Sequence, residues 1–157
     1  MSDKYPRTYH LPWSPGKTDD DKVMKDLHWL LNVPLVLTFK MDWGNCAINK
    51  NNVFARTHST QATHQSFDII KQLQSNIKHL LLDKYDYFGE NCYAKHSIEY
   101  CELPAYFLLF AIRDNEFNKW LSWEEIDKWS NILCIPTVPI AKITNFKSVN
   151  ELKNAVE

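Results

Sequence analysis

The chain has 157 residues, 45% of them hydrophobic and 13% aromatic with six tryptophans, which supports one substantial core and excludes intrinsic disorder. Lys plus Arg total 18 against 19 for Asp plus Glu, a formal net charge of -1. No general field therefore favours nucleic acid or an anionic membrane, and a polyanion would have to be met by a local patch.

Cys46, Cys92, Cys101 and Cys134 form no Cys-x-x-Cys pair and lack histidines at zinc spacing, so no structural metal site is expected and the thiols read as reduced. No stretch approaches the ~20 apolar residues of a membrane span, and no apolar run follows the charges of the first six residues. The default is a cytoplasmic protein with no membrane partner.

In chain order, Tyr5 to Asp21 carries Pro6, Pro12, Pro15 and Gly16 and then three aspartates. It reads as an extended arm, docked through Leu11 and Trp13, that ends where Thr18 or an Asp caps a helix from about Asp20 to Leu31. Val33 to Phe39 is a nearly continuous apolar, branched run, as in a strand buried on both faces. Asn45 to Ile48, the asparagine-rich turn Asn49-Lys50-Asn51-Asn52, and Val53 to Thr57 predict a hairpin that returns Arg56 toward the Lys40 end of the sheet.

Ser66 to Leu82 spaces Phe67, Ile70, Leu73, Ile77, Leu80 and Leu81 by three and four residues, which predicts an amphipathic helix laid on a sheet. Tyr85 to Tyr93 and Ala105 to Arg113 read as aromatic-rich strands joined by the polar connection Ala94 to Tyr100. Ser122-Trp123-Glu124-Glu125 is a capping box opening a helix to about Leu133, Thr137 to Ile143 predicts another strand, and Ser148 caps a last short helix. Without repeats or linkers, residues 1–157 read as a single α+β domain with antiparallel sheets flanked by helices.

Lys40 is the residue that invites chemistry. An amine delivered by an apolar strand is disfavoured in its charged form and can act as a nucleophile, while Asp42, two residues on, could orient it or hold a metal. The same pattern also describes a solvated lysine at a strand end.

Several separated blocks together resemble the RNA ligases of the covalent nucleotidyltransferase superfamily, which includes DNA ligases and mRNA-capping enzymes. They are Tyr9-His10-Leu11-Pro12-Trp13-Ser14-Pro15-Gly16, Lys40-Met41-Asp42, Phe54-Ala55-Arg56-Thr57, Phe88-Gly89-Glu90-Asn91-Cys92-Tyr93-Ala94-Lys95-His96-Ser97-Ile98, Leu103 to Ile112, Leu121-Ser122-Trp123 and Ile135-Pro136-Thr137-Val138-Pro139. A bare Lys-x-Asp is weak evidence; these blocks in this order are specific.

The resemblance implies an ATP-grasp-like adenylation domain that uses ATP and Mg²⁺. A lysine attacks the α-phosphate, keeps AMP as a phosphoramidate and passes it to an RNA 5′-phosphate, after which a 3′-hydroxyl displaces AMP. It makes Lys40 the nucleophile, Asp42 the acidic partner, and Asn45 a polar residue near the phosphates or RNA end. Arg56 becomes a phosphate contact, suited by its planar fork of donors. Glu90 becomes the acceptor for ribose hydroxyls. Phe110 becomes the aromatic under adenine, with Phe107 the alternative by register. Lys95 and His96 would meet the RNA backbone or belong to a solvated connection.

The chain departs from the family pattern Glu-Lys-x-Asp-Gly, with Phe39 before the lysine and Trp43 in the place of the glycine. A turn shifted onto Gly44 would restore the glycine's freedom. After Val138, Lys142, Lys147, Glu151 and Lys153 match neither the family's Glu-Gly-x-Val strand nor its two-lysine strand, so the C-terminal part of the domain is expected to be missing. Two alternatives follow: an inactive remnant that binds nucleotide or RNA ends, and half of a split ligase with a protein partner on an open sheet edge.

Overall fold

The computed structural model describes residues 4–56, 61–93 and 105–156. Along the chain the strands are β1 (Leu35–Thr38), β2 (Gly44–Ile48), β3 (Val53–Ala55), β4 (Tyr85–Asn91), β5 (Phe107–Asp114), β6 (Lys119–Trp120) and β7 (Ile140–Thr144), and the helices are α1 (Asp68–Ile77), α2 (Trp123–Leu133) and α3 (Val149–Val156). They gather into two units, one of Met1–Tyr5 with Phe39–Pro139 and one of Pro6–Thr38 with Ile140–Glu157.

The first unit is built on an antiparallel sheet of order β3-β2-β4-β5-β6. The asparagine turn fixes the β2–β3 hairpin: Asn49 Oδ1 accepts from the amides of Asn51 and Asn52, and its amide group donates to buried Asp86 at 3.0 Å. Gln74 of α1 donates to the carbonyls of Asn49 and Lys50, tying helix to turn. The predicted amphipathic helix forms with Ile70 and Ile77 buried, and Leu81 beyond it is buried too, whereas Leu80 is exposed.

Alternation along the strands gives the sheet two unlike faces. Cys46, Ile48, Tyr87, Phe107, Leu109 and Ile112 pack beneath α1 and α2, with Ile70, Ile126 and Leu133. Ala47, Phe88, Leu108, Phe110 and Ala111 form the other face. Gly89 belongs to the helix-side face for a steric reason: a Cβ there would lie 2.4 Å from the Phe107 ring. The capping box forms as read, Ser122 Oγ accepting from the Glu125 amide while Glu125 accepts from the Ser122 amide. The short strand β6 carried no sequence signal.

In the second unit β1 pairs antiparallel with β7 in a two-stranded sheet, from Leu35 opposite Thr144 to Thr38 opposite Ile140. Two expectations are corrected here. The run Val33 to Phe39 is not buried on both faces: β1 starts after Pro34, its first three residues are half-buried and Thr38 is exposed. Among the described residues its one strand partner is β7. The helix expected from Asp20 to Leu31 reduces to one 3-10 turn, His28–Leu30. Asp21 accepts from both the amide and the hydroxyl of Thr18, and Asp26 from the amide of His28, so the short acidic side chains close local turns instead of capping a helix. The last strand lies at Ile140–Thr144, a few residues later than read. The last helix begins as read, with the Glu151 amide donating to Ser148 Oγ at 3.2 Å.

Candidate functional site

The chain from Phe39 into β2 forms no helix or strand, bends at Trp43 and divides its side chains between interior and surface. Met41 is buried with Cys92, Leu108 and Val138, and Trp43, Phe110 and Trp123 pack on this cluster. Lys40 and Asp42, on either side of buried Met41, are exposed, as is Phe39. The expected apolar surround of Lys40 is therefore not what the fold supplies. The amine stands in solvent, and what lies near it is charge.

Trp43 explains the missing family glycine. Its ring is part of the Met41 cluster, and neither Trp43 nor Gly44 has positive φ. Gly44 opens β2, and a Cβ there would meet only Asn91 at 4.0 Å. The expected shift of a tight turn onto Gly44 does not occur, because a strand entry needs no left-handed residue.

β2 and β4 bring the next residues together. Asn45 stands directly opposite Glu90, and Arg56, one residue past the Cys46–Ala55 pair, comes level with Asn45 from the hairpin's return strand. This is where the hairpin was expected to deliver it. Burial pushes the Glu90 carboxyl up to about 7; Lys40 and Arg56 pull it down, and Asp42 pushes it further up. Three of the other described site residues thus act on one carboxylate. Glu90 Oε2 and Asn45 Oδ1 are buried and receive no hydrogen bond among the described residues.

Phe110 is half-buried on the Glu90 face, packed against both clusters there, whereas Phe107 is in the helix-side core with 1% of its surface exposed. Of the two register options only Phe110 shares a face with Glu90. Lys95 and His96 lie outside the described residues. The two thiols near the site are held toward their neutral form: burial, and then Glu90, pushes Cys92 up to about 12, and burial, Glu90 and Cys92 raise Cys46.

Sequence reasoning missed one residue of this face. Tyr5 rests on Phe110, Phe88 and Trp120, and no periodicity or motif in a proline-rich arm could have signalled it. A cavity of about 430 Å³ lies elsewhere, on the helix side among Ile70, Leu73, Phe107, Cys134 and Ile135, and contains none of these charged groups. No helix among the described residues is long and apolar enough to cross a membrane.

A family model described as RNA ligase matches residues 33–156. The chain belongs to the RNA ligase family. Solved structures similar to this RNA ligase-family chain include an archaeal ATP-dependent RNA ligase, form 1, at a TM-score of 0.58 and 17% identity over 77% of this chain and 34% of that one. A Naegleria gruberi RNA ligase mutant in apo form matches at 0.56 and 13% identity, over 80% of this chain and 41% of that one. A Naegleria gruberi RNA ligase mutant with ATP and Mn matches at 0.55 and 15% identity, over 80% and 42%. No curated protein matches the chain. At these identities the likeness is one of fold: this member carries the α+β nucleotidyltransferase fold of RNA ligases, and it spans less than half the length of those solved chains.

Proposed function

We propose that the Glu90 face binds an adenine nucleotide and that Lys40 takes AMP from ATP, as the first step of sealing an RNA 5′-phosphate to a 3′-hydroxyl. Lys40 Nζ forms the bond to the α-phosphorus as the bond to pyrophosphate breaks. The RNA 5′-phosphate then takes AMP from the lysine, and the 3′-hydroxyl displaces AMP. Asn45 and Glu90 offer the acceptors for ribose hydroxyls, Phe110 the surface for the base, and Arg56 a fork of donors for phosphate. Asp42 orients the exposed amine.

The observation that carries this reading is the convergence on Glu90 of Lys40 and Asp42 from one stretch of chain and Arg56 from another. Phosphoryl transfer needs positioning and cationic stabilisation more than a general base, and here Arg56 supplies the cation while Lys40 supplies the amine. A divalent ion, Mg²⁺ by the family resemblance, would neutralise charge on the phosphates. Among the described residues no group of three His, Cys, Asp or Glu is placed to hold an ion. Such an ion would therefore take its oxygens chiefly from the nucleotide and water, as Mg²⁺ commonly does.

The exposure of Lys40 favours a second reading, a nucleotide- or RNA-end-binding module that forms no adduct. Intact-mass measurement after incubation with ATP and Mg²⁺ separates the two. A gain of one AMP that is absent in Lys40→Ala is the expected result. Nucleotide binding without that gain in the wild-type chain supports the binding module, and neither binding nor gain overturns both.

A further inference from the structure

The face that carries Glu90 and Phe110 is already covered. The Tyr5 ring lies 5.0 Å from that of Phe110 and nearly perpendicular to it, 5.5 Å from that of Phe88 and 5.2 Å from that of Trp120, between centroids. Tyr5 packs on the cluster of Ala47, Phe88 and Ala111, and Phe88 has no exposed surface. That burial pushes the Tyr5 phenol above its ordinary range.

Strand geometry makes the position consequential. Phe88 and Glu90 share a face of β4 and stand about 7 Å apart along it. A nucleoside with its ribose hydroxyls at Glu90 and its base on Phe110 therefore projects that base across the rings on which Tyr5 rests. An aromatic ring set nearly perpendicular 5.0 Å from Phe110 and tilted 5.5 Å from Phe88 takes up space beside Phe110 that a base reaching across these rings would need.

We propose, building on the nucleotide reading above, that Tyr5 gates the base subsite: its ring occupies the place of the adenine in the nucleotide-free chain and must leave Phe110 before the base can stack. The attachment suits a gate. Among the described residues neither Lys4 nor Tyr5 makes a backbone–backbone hydrogen bond, and Tyr5 is held by ring and apolar contacts of the kind that a base would make in its stead.

The test is AMP titration by calorimetry on the wild-type chain, Tyr5→Ala and Tyr5→Phe, with trypsin cleavage at the exposed Lys4 followed with and without AMP. If the closed form holds about nine-tenths of the molecules, Tyr5→Ala binds AMP about tenfold more tightly, since the competent fraction rises from a tenth to one. Tyr5→Phe, which keeps the ring, binds as the wild type does, and AMP accelerates cleavage after Lys4 in the wild-type chain. AMP binding to Tyr5→Ala that is equal to or weaker than wild type, or cleavage that AMP slows, overturns the gate and leaves the nucleotide site standing. If no chain binds AMP, the nucleotide reading itself fails and the gate with it. The cleavage arm needs no substitution, so it decides the matter even if Tyr5→Ala fails to fold.

Discussion

Asn45 on β2 and Glu90 on β4 stand directly opposite each other, and each keeps one side-chain oxygen buried without a donor among the described residues. A buried acceptor left unpaired costs about 1–3 kcal/mol, so two side by side make a site that favours whatever brings donors. Hydroxyl groups of a ribose have that character. So does a protonated amine, and Lys40 is close enough to act on Glu90 electrostatically.

Glu90→Gln separates the fold from the function. The Glu90 carboxyl is raised to about 7, chiefly by burial. Its neutral form therefore contributes stability that is fully present below the unfolded value of about 4.5 and lost as pH rises through about 7. The amide keeps the shape without the ionisation. Glu90→Gln should melt within a degree or so of wild type at pH 5 and a few degrees higher at pH 8, a difference of about 1–2 kcal/mol after allowance for partial exposure. Calorimetric melts at both pH values check this, and the same variant should bind AMP more weakly at pH 8.

The charges around Glu90 should be readable in its titration. Removing a neighbouring cation takes away a pull downward, so Lys40→Ala and Arg56→Ala should each move the Glu90 midpoint upward. Asp42→Asn removes a like charge and should move it downward. Side-chain carboxyl NMR on labelled protein reports all three. A midpoint unmoved by any of them would mean that these groups do not share a site.

Two glycines should differ sharply. Gly89→Ala forces a methyl against the Phe107 ring, which is itself packed in the core, and should cost about 1–3 kcal/mol, as overpacking does. Gly44→Ala meets nothing nearer than 4.0 Å and should melt within about 0.5 kcal/mol of wild type. Denaturant midpoints of the pair suffice.

Trp43→Gly, which restores the residue of the family motif, should weaken the protein. The indole packs on Met41 and its neighbours, and removing a half-buried tryptophan costs about 2–3 kcal/mol, less than the full core value. Thermal melts measure it. A variant as stable as wild type would place the indole outside the packed cluster.

Local interactions were legible in the chain. The capping box of Ser122 and Glu125, the asparagine turn of the hairpin and the amphipathic spacing of α1 all form, because each is decided by partners a few residues apart. The pattern Phe88-Gly89-Glu90, seen at sequence level as one block, places Glu90 on a strand as expected. The acidic run after Pro15 misled for the same reason that it attracted attention: aspartates stabilise turns as readily as helix starts, and nothing local chooses between them.

Sequence alone determined the hairpin of β2 and β3, the strands β4 and β5, the helices α1 and α2 and which residues carry charge beside Lys40. Tertiary structure decided the rest: that β1 pairs with β7, that Asn45 faces Glu90, that Trp43 is packing and that Tyr5 covers Phe110. The physical reason is range. Turns, caps and helical faces are fixed by neighbours along the chain, whereas register, burial and the field at a carboxylate are sums over residues far apart in sequence that only the folded sheet brings within reach.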